Sequence, residues 1–256
     1  MNGPATKRLA HVESHLKNGF DIGQLVHNVA NQQGNPIASA MTLSRHALAS
    51  AIYAWFKEHD LAATRQWCYV ASKLDQKWYQ MDKSTQNAGS KLLQLLKPLL
   101  SNNSTVIEWF AHYDATYDMD RVEDPETHDF WAYQAVVALR GEWERLLDRC
   151  EKVLKAPPKA ELNYLTDYAF YQALAHQDVE RMNEVLRQLV EPKAVRSRSK
   201  DDSGYTADLI STAPVIYAKI AWRHGFEVEV DSPYVPREWL PNEPLAQYDN
   251  HYPFLK

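Results

Sequence analysis

Apolar residues recur every three or four positions along most of this chain, and strict alternation is rare. That period belongs to helices with one buried face, so it constrains the fold to packed helices before anything else is considered. Residues 39–58 carry Met41, Leu43, Ala47, Leu48, Ala51, Ile52, Trp55 and Phe56 in this pattern. Residues 61–81 continue it with Leu61, Trp67, Val70, Leu74, Trp78 and Met81. A leucine helix over 85–100 holds the pairs Leu92-Leu93, Leu95-Leu96 and Leu99-Leu100, and Pro98 inside it predicts a kink or an end. Residues 104–116 open on Ser104, a predicted N-cap, and carry Val106, Ile107, Trp109, Phe110 and Tyr113. Pro125-Glu126 suits a helix start, Pro157-Pro158 ends a helix after Lys155, and Pro192 closes another. The last clear helix runs from Ala207 to His224 with Gly225 as its C-cap. From Phe226 the pattern changes: Val228 and Val230 alternate with acids, and five prolines follow between Pro233 and Pro253. An extended tail laid across the helices is predicted there, with room for one short strand.

A weak internal repeat supports paired helices. Tyr133-Gln134-Ala135-Val136 resembles Tyr171-Gln172-Ala173-Leu174, and Glu142 to Leu146 resembles Asp178 to Met182. Cys150, Val153 and Leu154 then match Leu186, Leu189 and Val190 at an offset of 36, and Glu58-His59-Asp60-Leu61-Ala62 has a similar look. Helical hairpins recurring at this spacing are the signature of a tetratricopeptide-like array, here with a degenerate consensus. Such arrays present a surface to a partner. The expected fold is therefore all-α, with eleven or twelve helices in antiparallel hairpins and a proline-rich tail. It is read as one domain over 1–256, divisible at most into an N-terminal half, 1–120, and a repeat-like half, 121–240.

Composition removes several function classes. Eight glycines in 256 residues are fewer than half the usual share of about 7%. They do not cluster, so phosphate-cradling and dinucleotide loops are excluded, as is the G-x-S-x-G elbow. No cofactor is expected. A net charge of −5 and a pI near 6.1 disfavour nucleic acid as a partner. No apolar run approaches the roughly 18 residues of a membrane span, and the stretch from Met1 to Gly19 lacks a signal-peptide core. Two distant cysteines, Cys68 and Cys150, fall in apolar helical patterns and read as buried thiols. These features place the chain in the cytoplasm.

The strongest charge feature lies in residues 114–129. Asp114, Asp118, Asp120, Glu123, Asp124, Glu126 and Asp129 face only Arg121 there, a local net charge of −6. Tyr113, Tyr117 and Met119 interleave with them. The plainest reading is a solvated inter-helix loop; a second is an anchor for a basic protein partner; a third is a metal or catalytic carboxylate cluster. No central glycine makes it a calcium loop. His11 and His15 stand at i and i+4, a spacing that holds zinc if a third ligand arrives, although a solvated helix face is the plainer reading of so polar a segment and H-E-x-x-H is absent. The stretch Lys193, Arg196, Arg198, Lys200, followed by Asp201 and Asp202, lacks the aromatics of a phosphate or nucleic-acid surface and reads as an exposed loop. Trp55, Trp67, Trp109, Trp131 and Trp143 fall on apolar stripes and read as core. Tyr164, Tyr168 and Tyr171 share one helix face, either lining a groove or packing inward.

The segment Ala213 to Ala221, running into Arg223-His224-Gly225-Phe226 and on through Glu227-Val228-Glu229-Val230-Asp231-Ser232-Pro233-Tyr234-Val235-Pro236, resembles the ending of the immunity protein 49 family of bacterial polymorphic toxin systems. The resemblance spans about residues 125–240. Tyr252-Pro253 also resembles the ending of a neighbouring helical immunity family that accompanies polymorphic nuclease effectors. The resemblance implies a non-catalytic antitoxin that binds one cognate toxin domain and blocks its active site or the entry of its substrate. A toxin met in the cytosol would be a nuclease or another cytosol-acting effector, and the acidic loop would face its basic cleft. Joint neutralisation of Asp118, Asp120, Glu123 and Asp124 is then expected to slow association. The alternatives are a helical-repeat scaffold for an unrelated partner and an all-α metalloenzyme using His11 and His15.

Overall fold

The structure, a computed structural model, describes residues 3–82, 84, 88–199 and 202–256. Among them there is no strand. The N-terminal part contains α1 (Gly3–Asn18), α2 (Ile22–Asn31), α3 (Pro36–Tyr53) and α4 (Leu61–Met81). A wider π turn, Ala54–Glu58, prolongs α3 and ends on His59 in the left-handed region, φ 56°. Caps are local and readable. Asp21, Asn35 and Asp60 each accept a bond from a backbone N–H three residues on, satisfying donors that a helix start leaves open.

The leucine segment breaks into α5 (Ala88–Gln94) and α6 (Leu96–Ser101). Pro98 has no N–H to give the carbonyl of Gln94, so the break falls one turn before the proline, and Pro98 sits in the first turn of α6, where an N–H is not needed. Residues 85–87 of the sequence-predicted helix lie outside the described residues. Next come α7 (Ser104–His112) and the single-turn α8 (Met119–Glu123). The cap of α7 is Asn103, whose side chain accepts from Val106 N, and not Ser104 as the sequence suggested.

The remaining helices are α9 (His128–Leu139), α10 (Trp143–Lys155), α11 (Leu165–Ala175), α12 (Val179–Leu189), α13 (Pro192–Arg198) and α14 (Thr212–Arg223). α9 starts at the Thr127 cap, later than Pro125 implied. α14 starts at Thr212 rather than Ala207, because Thr206 to Ile210 form hydrogen-bonded turns. Pro192 opens α13, so the basic stretch is not a loop over its first half: Val195 is buried and Arg198 binds a buried carboxylate. Lys200 and Asp201 lie outside the described residues.

The repeat is one turn built twice. Gly141 and Gln177, 36 residues apart, both sit in the left-handed region, at φ 69° and 59°. Glu142 N donates to Val137 O and Asp178 N donates to Ala173 O. The matched positions Leu146 and Met182, Cys150 and Leu186, Val153 and Leu189 are all buried. α9 packs on α10, α10 on α11 and α11 on α12, as α3 does on α4. α9 is buried on nearly every face because α5, α7, α8, α11 and α14 also surround it.

The tail crosses the helices as expected but forms no strand. Lys219, fully buried on α14, donates to Asn102 Oδ1, Leu240 O and Asn242 Oδ1 at 2.6, 3.0 and 3.1 Å. Trp239 packs edge-on against Trp55, with ring centroids 5.7 Å apart. Gln66 exchanges two hydrogen bonds with the backbone of Asp249. Buried apolar residues from Ala5 to Leu255 belong to one cluster. Cys68 and Cys150 are free buried thiols, pushed up to about 12 by burial.

Candidate partner-binding surface

The acidic segment is folded onto a layer of cations that the sequence window did not contain. Asp114 accepts two bonds from Arg140 at 2.6 and 2.7 Å, and a third from the Tyr133 hydroxyl at 2.9 Å. Burial, helped by Asp114, pushes Tyr133 up to about 12. Glu123 accepts from Arg145 at 2.6 Å and Arg149 at 2.7 Å. Arg149 is itself buried, lies 3.8 Å over the Phe130 ring, and donates to Val122 O and Phe130 O. Asp129 is buried and pairs with Arg121 at 3.1 Å. Glu123 and Asp129 hold α8 against α10 and α9, and Asp114 ties the segment before α8 to α9 and the residue that follows it.

The aromatic members also turn inward. Lys91 Nζ stands 3.4 Å over the Tyr117 ring and donates to Thr116. Burial pulls this amine down to about 7, opposed by Asp114. Tyr113 stacks on Trp109 at 4.2 Å and donates to Tyr79 O at 3.1 Å. Met119 stays 40% exposed.

An outward ridge is left. Asp118 caps α8 through Arg121 N, and Asp124 accepts from Glu126 N. Asp120, Asp124 and Glu126 are exposed, and neither Asp120 nor Glu126 has a side-chain hydrogen bond or ion pair among the described residues. The structure thus splits the nine sequence candidates. Asp118, Asp120, Asp124 and Glu126 form the ridge; Asp114, Tyr117 and Asp129 and the exposed but arginine-paired Glu123 tie it to the helices around it, with Tyr113 at its side. The arginines were the missed partners. Arg145 and Arg149 stand at i and i+4 on α10, which puts them on one face, but nothing in the sequence said which acids they would meet.

His11 and His15 do not converge with a third ligand. Among the described residues no three of His, Cys, Asp or Glu are placed to hold a metal ion. His15 instead lies 4.8 Å from the Tyr205 ring and 5.6 Å from His46, and His11 stacks on Tyr205 at 5.9 Å. Tyr168 and Tyr171 are buried and Tyr164 half-buried, so that stripe is core with one end at the surface. Trp131 is buried; Trp55, Trp67, Trp109 and Trp143 are half-buried against the core. Among the described residues no helix is long and apolar enough to cross a membrane.

Paired helices around a buried α9, with an acidic ridge on one side, define an all-α protein. The family model described as Immunity protein 49 matches residues 123–239. That match bears out the resemblance read from the C-terminal residues, and its family name is that of immunity proteins. It starts at Glu123 in α8 and ends at Trp239. No curated protein and no solved structure matches the chain.

Proposed function

We propose that this chain neutralises a cognate bacterial toxin domain by stoichiometric binding in the cytosol, without catalysis of its own. The family match over residues 123–239 carries the reading. The ridge of Asp118, Asp120, Asp124 and Glu126, flanked by Tyr113 and the exposed Met119, supports a basic toxin surface as its counterpart, as a nuclease active site would supply. Rim charges of this kind raise the association rate and steer orientation more than they deepen affinity. Occlusion of the toxin's active site follows if the ridge meets the basic cleft.

The experiment is co-expression of this chain with the C-terminal domain encoded by the adjacent gene. Killing by the domain alone and restored growth with this chain support the reading. A harmless neighbour, or killing that this chain does not relieve, overturns it and leaves the helical hairpins as a scaffold for an unrelated partner. The ridge is tested by Asp118→Asn, Asp120→Asn, Asp124→Asn and Glu126→Gln together. Glu123 is left in place because it holds Arg145 and Arg149. Association is expected to slow by about tenfold at low salt and to lose much of its salt dependence. An unchanged rate and salt slope removes the ridge from the interface.

A further inference from the structure

Beyond α14 the chain runs out along residues 226–232, turns at 232–235 and returns to 241, and a cavity of about 310 Å³ lies between the two legs. Half-buried Trp222 from α14 and Pro241 from the return leg give it an apolar side, while Val228, Val230, Val235 and Leu240 are packed beneath it in the core. Its rim is acidic. Burial alternates along the outgoing leg, so Glu227, Glu229 and Asp231 are exposed while Val228 and Val230 are buried. One cation answers them. Arg237, on the return leg, reaches 3.8 Å from Glu229, and both side chains are largely exposed, at 86% and 79%. A pair that open contributes little to stability. The backbone beside the cavity is also underused: Val230 N–H, Asp231 N–H and the carbonyls of Glu227 and Glu229 have no hydrogen-bond partner among the described residues.

We infer that this cavity binds a basic side chain, an arginine or lysine, carried on an extended segment of a protein partner. The aliphatic stem of such a side chain lies along Trp222 and Pro241 and its charged head meets the rim carboxylates, the division long cationic side chains adopt at a wet apolar surface. Arg237 occupies the rim in the free protein and is displaced or shifted when the partner enters. The free backbone groups of the outgoing leg pair with the partner's main chain, as an added strand does at an open edge. The surface is separate from the ridge on α8, and its occupant is defined by chemistry alone, so the inference stands whether or not the partner is a toxin.

The test is a nuclear magnetic resonance titration of the full chain with an acetylated, amidated hexapeptide, Ser-Leu-Arg-Leu-Lys-Ser, and with the same peptide carrying citrulline and norleucine for its two cations. The basic peptide is expected to shift the Trp222 indole N–H and the amides of residues 227–232, and the neutral one to leave them in place. Glu227→Gln, Glu229→Gln and Asp231→Asn together should weaken the basic peptide by about tenfold, as three partly screened pairs would. Arg237→Ala should tighten it. Ser232→Trp fills the cavity without changing its charge and should abolish the shifts; thermal melting confirms that each variant remains folded. Absence of shifts at millimolar basic peptide overturns the inference. So do equal shifts with the neutral peptide, or shifts confined to residues 118–126. Failure of the growth assay with intact peptide binding would remove the toxin and keep the cavity.

Discussion

Two buried lysines show how differently one residue type is used. Lys219 has oxygen acceptors on three sides and fastens the tail to α14 and to Asn102. Lys219→Met leaves those oxygens without a donor and should cost about 2–4 kcal/mol in urea unfolding; a loss below about 0.5 kcal/mol would mean the tail is held by apolar packing instead. Lys91 has one hydroxyl partner and a tyrosine face. Burial lowers its folded pKa to about 7 from an ordinary 10.5. A lowered amine binds fewer protons folded than unfolded, so its contribution is present above the unfolded value and is lost as pH falls toward the folded one. Between pH 7 and 9.5 stability should therefore rise with pH, by at most about 1.4 kcal/mol per unit for this group. Urea midpoints across that window should show the rise, and Lys91→Met should flatten it. Lys219, pulled down to about 7 by burial as well, adds to the same slope, so the double variant is the flattest. A Lys91→Met profile parallel to the parent would place the proton elsewhere.

At the scale of elements, the hairpin turns were legible and the charge pairing was not. The αL residue followed by an acidic cap recurs at His59-Asp60 and Gln177-Asp178, with Gly141-Glu142 as its glycine version. These are local motifs written in four or five residues, and the same locality made the α4 and α10 boundaries and the proline stops readable. The acidic loop failed as a local reading because its counterions come from α9 and α10, 22 to 26 residues further on. A sequence window counts charges but not their neighbours across a helix interface. The tail cavity was equally hidden: period-two alternation at Val228 and Val230 suggested a strand, whereas among the described residues no strand pairs with the leg, which is held instead by side chains, Asn183 on Glu229 N–H and Trp222 on Val228 O. The turn motif makes its own prediction. Gln177 holds a left-handed φ of 59° that glycine adopts freely. Gln177→Gly should be neutral or stabilise by up to about 1 kcal/mol. Gly141→Ala should destabilise by about 1–2 kcal/mol, through backbone strain alone, since no atom lies within 3.7 Å of the added carbon. A reversed order in urea midpoints would show that the two turns are not equivalent.

For the whole molecule, the family match covers residues 123–239, while two helices of this segment are also packed against helices outside it. α9, its central helix, rests on α5 and α7, and α14 rests on α5 and α6. Trp239, at the match's last residue, is buried against Trp55 and Phe56 of the α3 hairpin. We propose that residues 1–256 form one cooperative unit, and that the matched segment is part of a larger core and not an independent domain. Expressed alone, residues 121–240 would expose the α9 and α14 faces that α5, α6 and α7 cover, an apolar patch far beyond what a soluble monomer presents. That fragment should show helical circular dichroism without dispersed methyl resonances, and it should fail to protect in the growth assay where the full chain succeeds. The full chain should melt in one transition, its calorimetric and van't Hoff enthalpies agreeing. A dispersed, protective fragment would show that the N-terminal helices are dispensable to both fold and binding. In that case the cavity beside α14 and the part of the ridge that the fragment keeps, Asp124 and Glu126, would be the surfaces left to explain neutralisation.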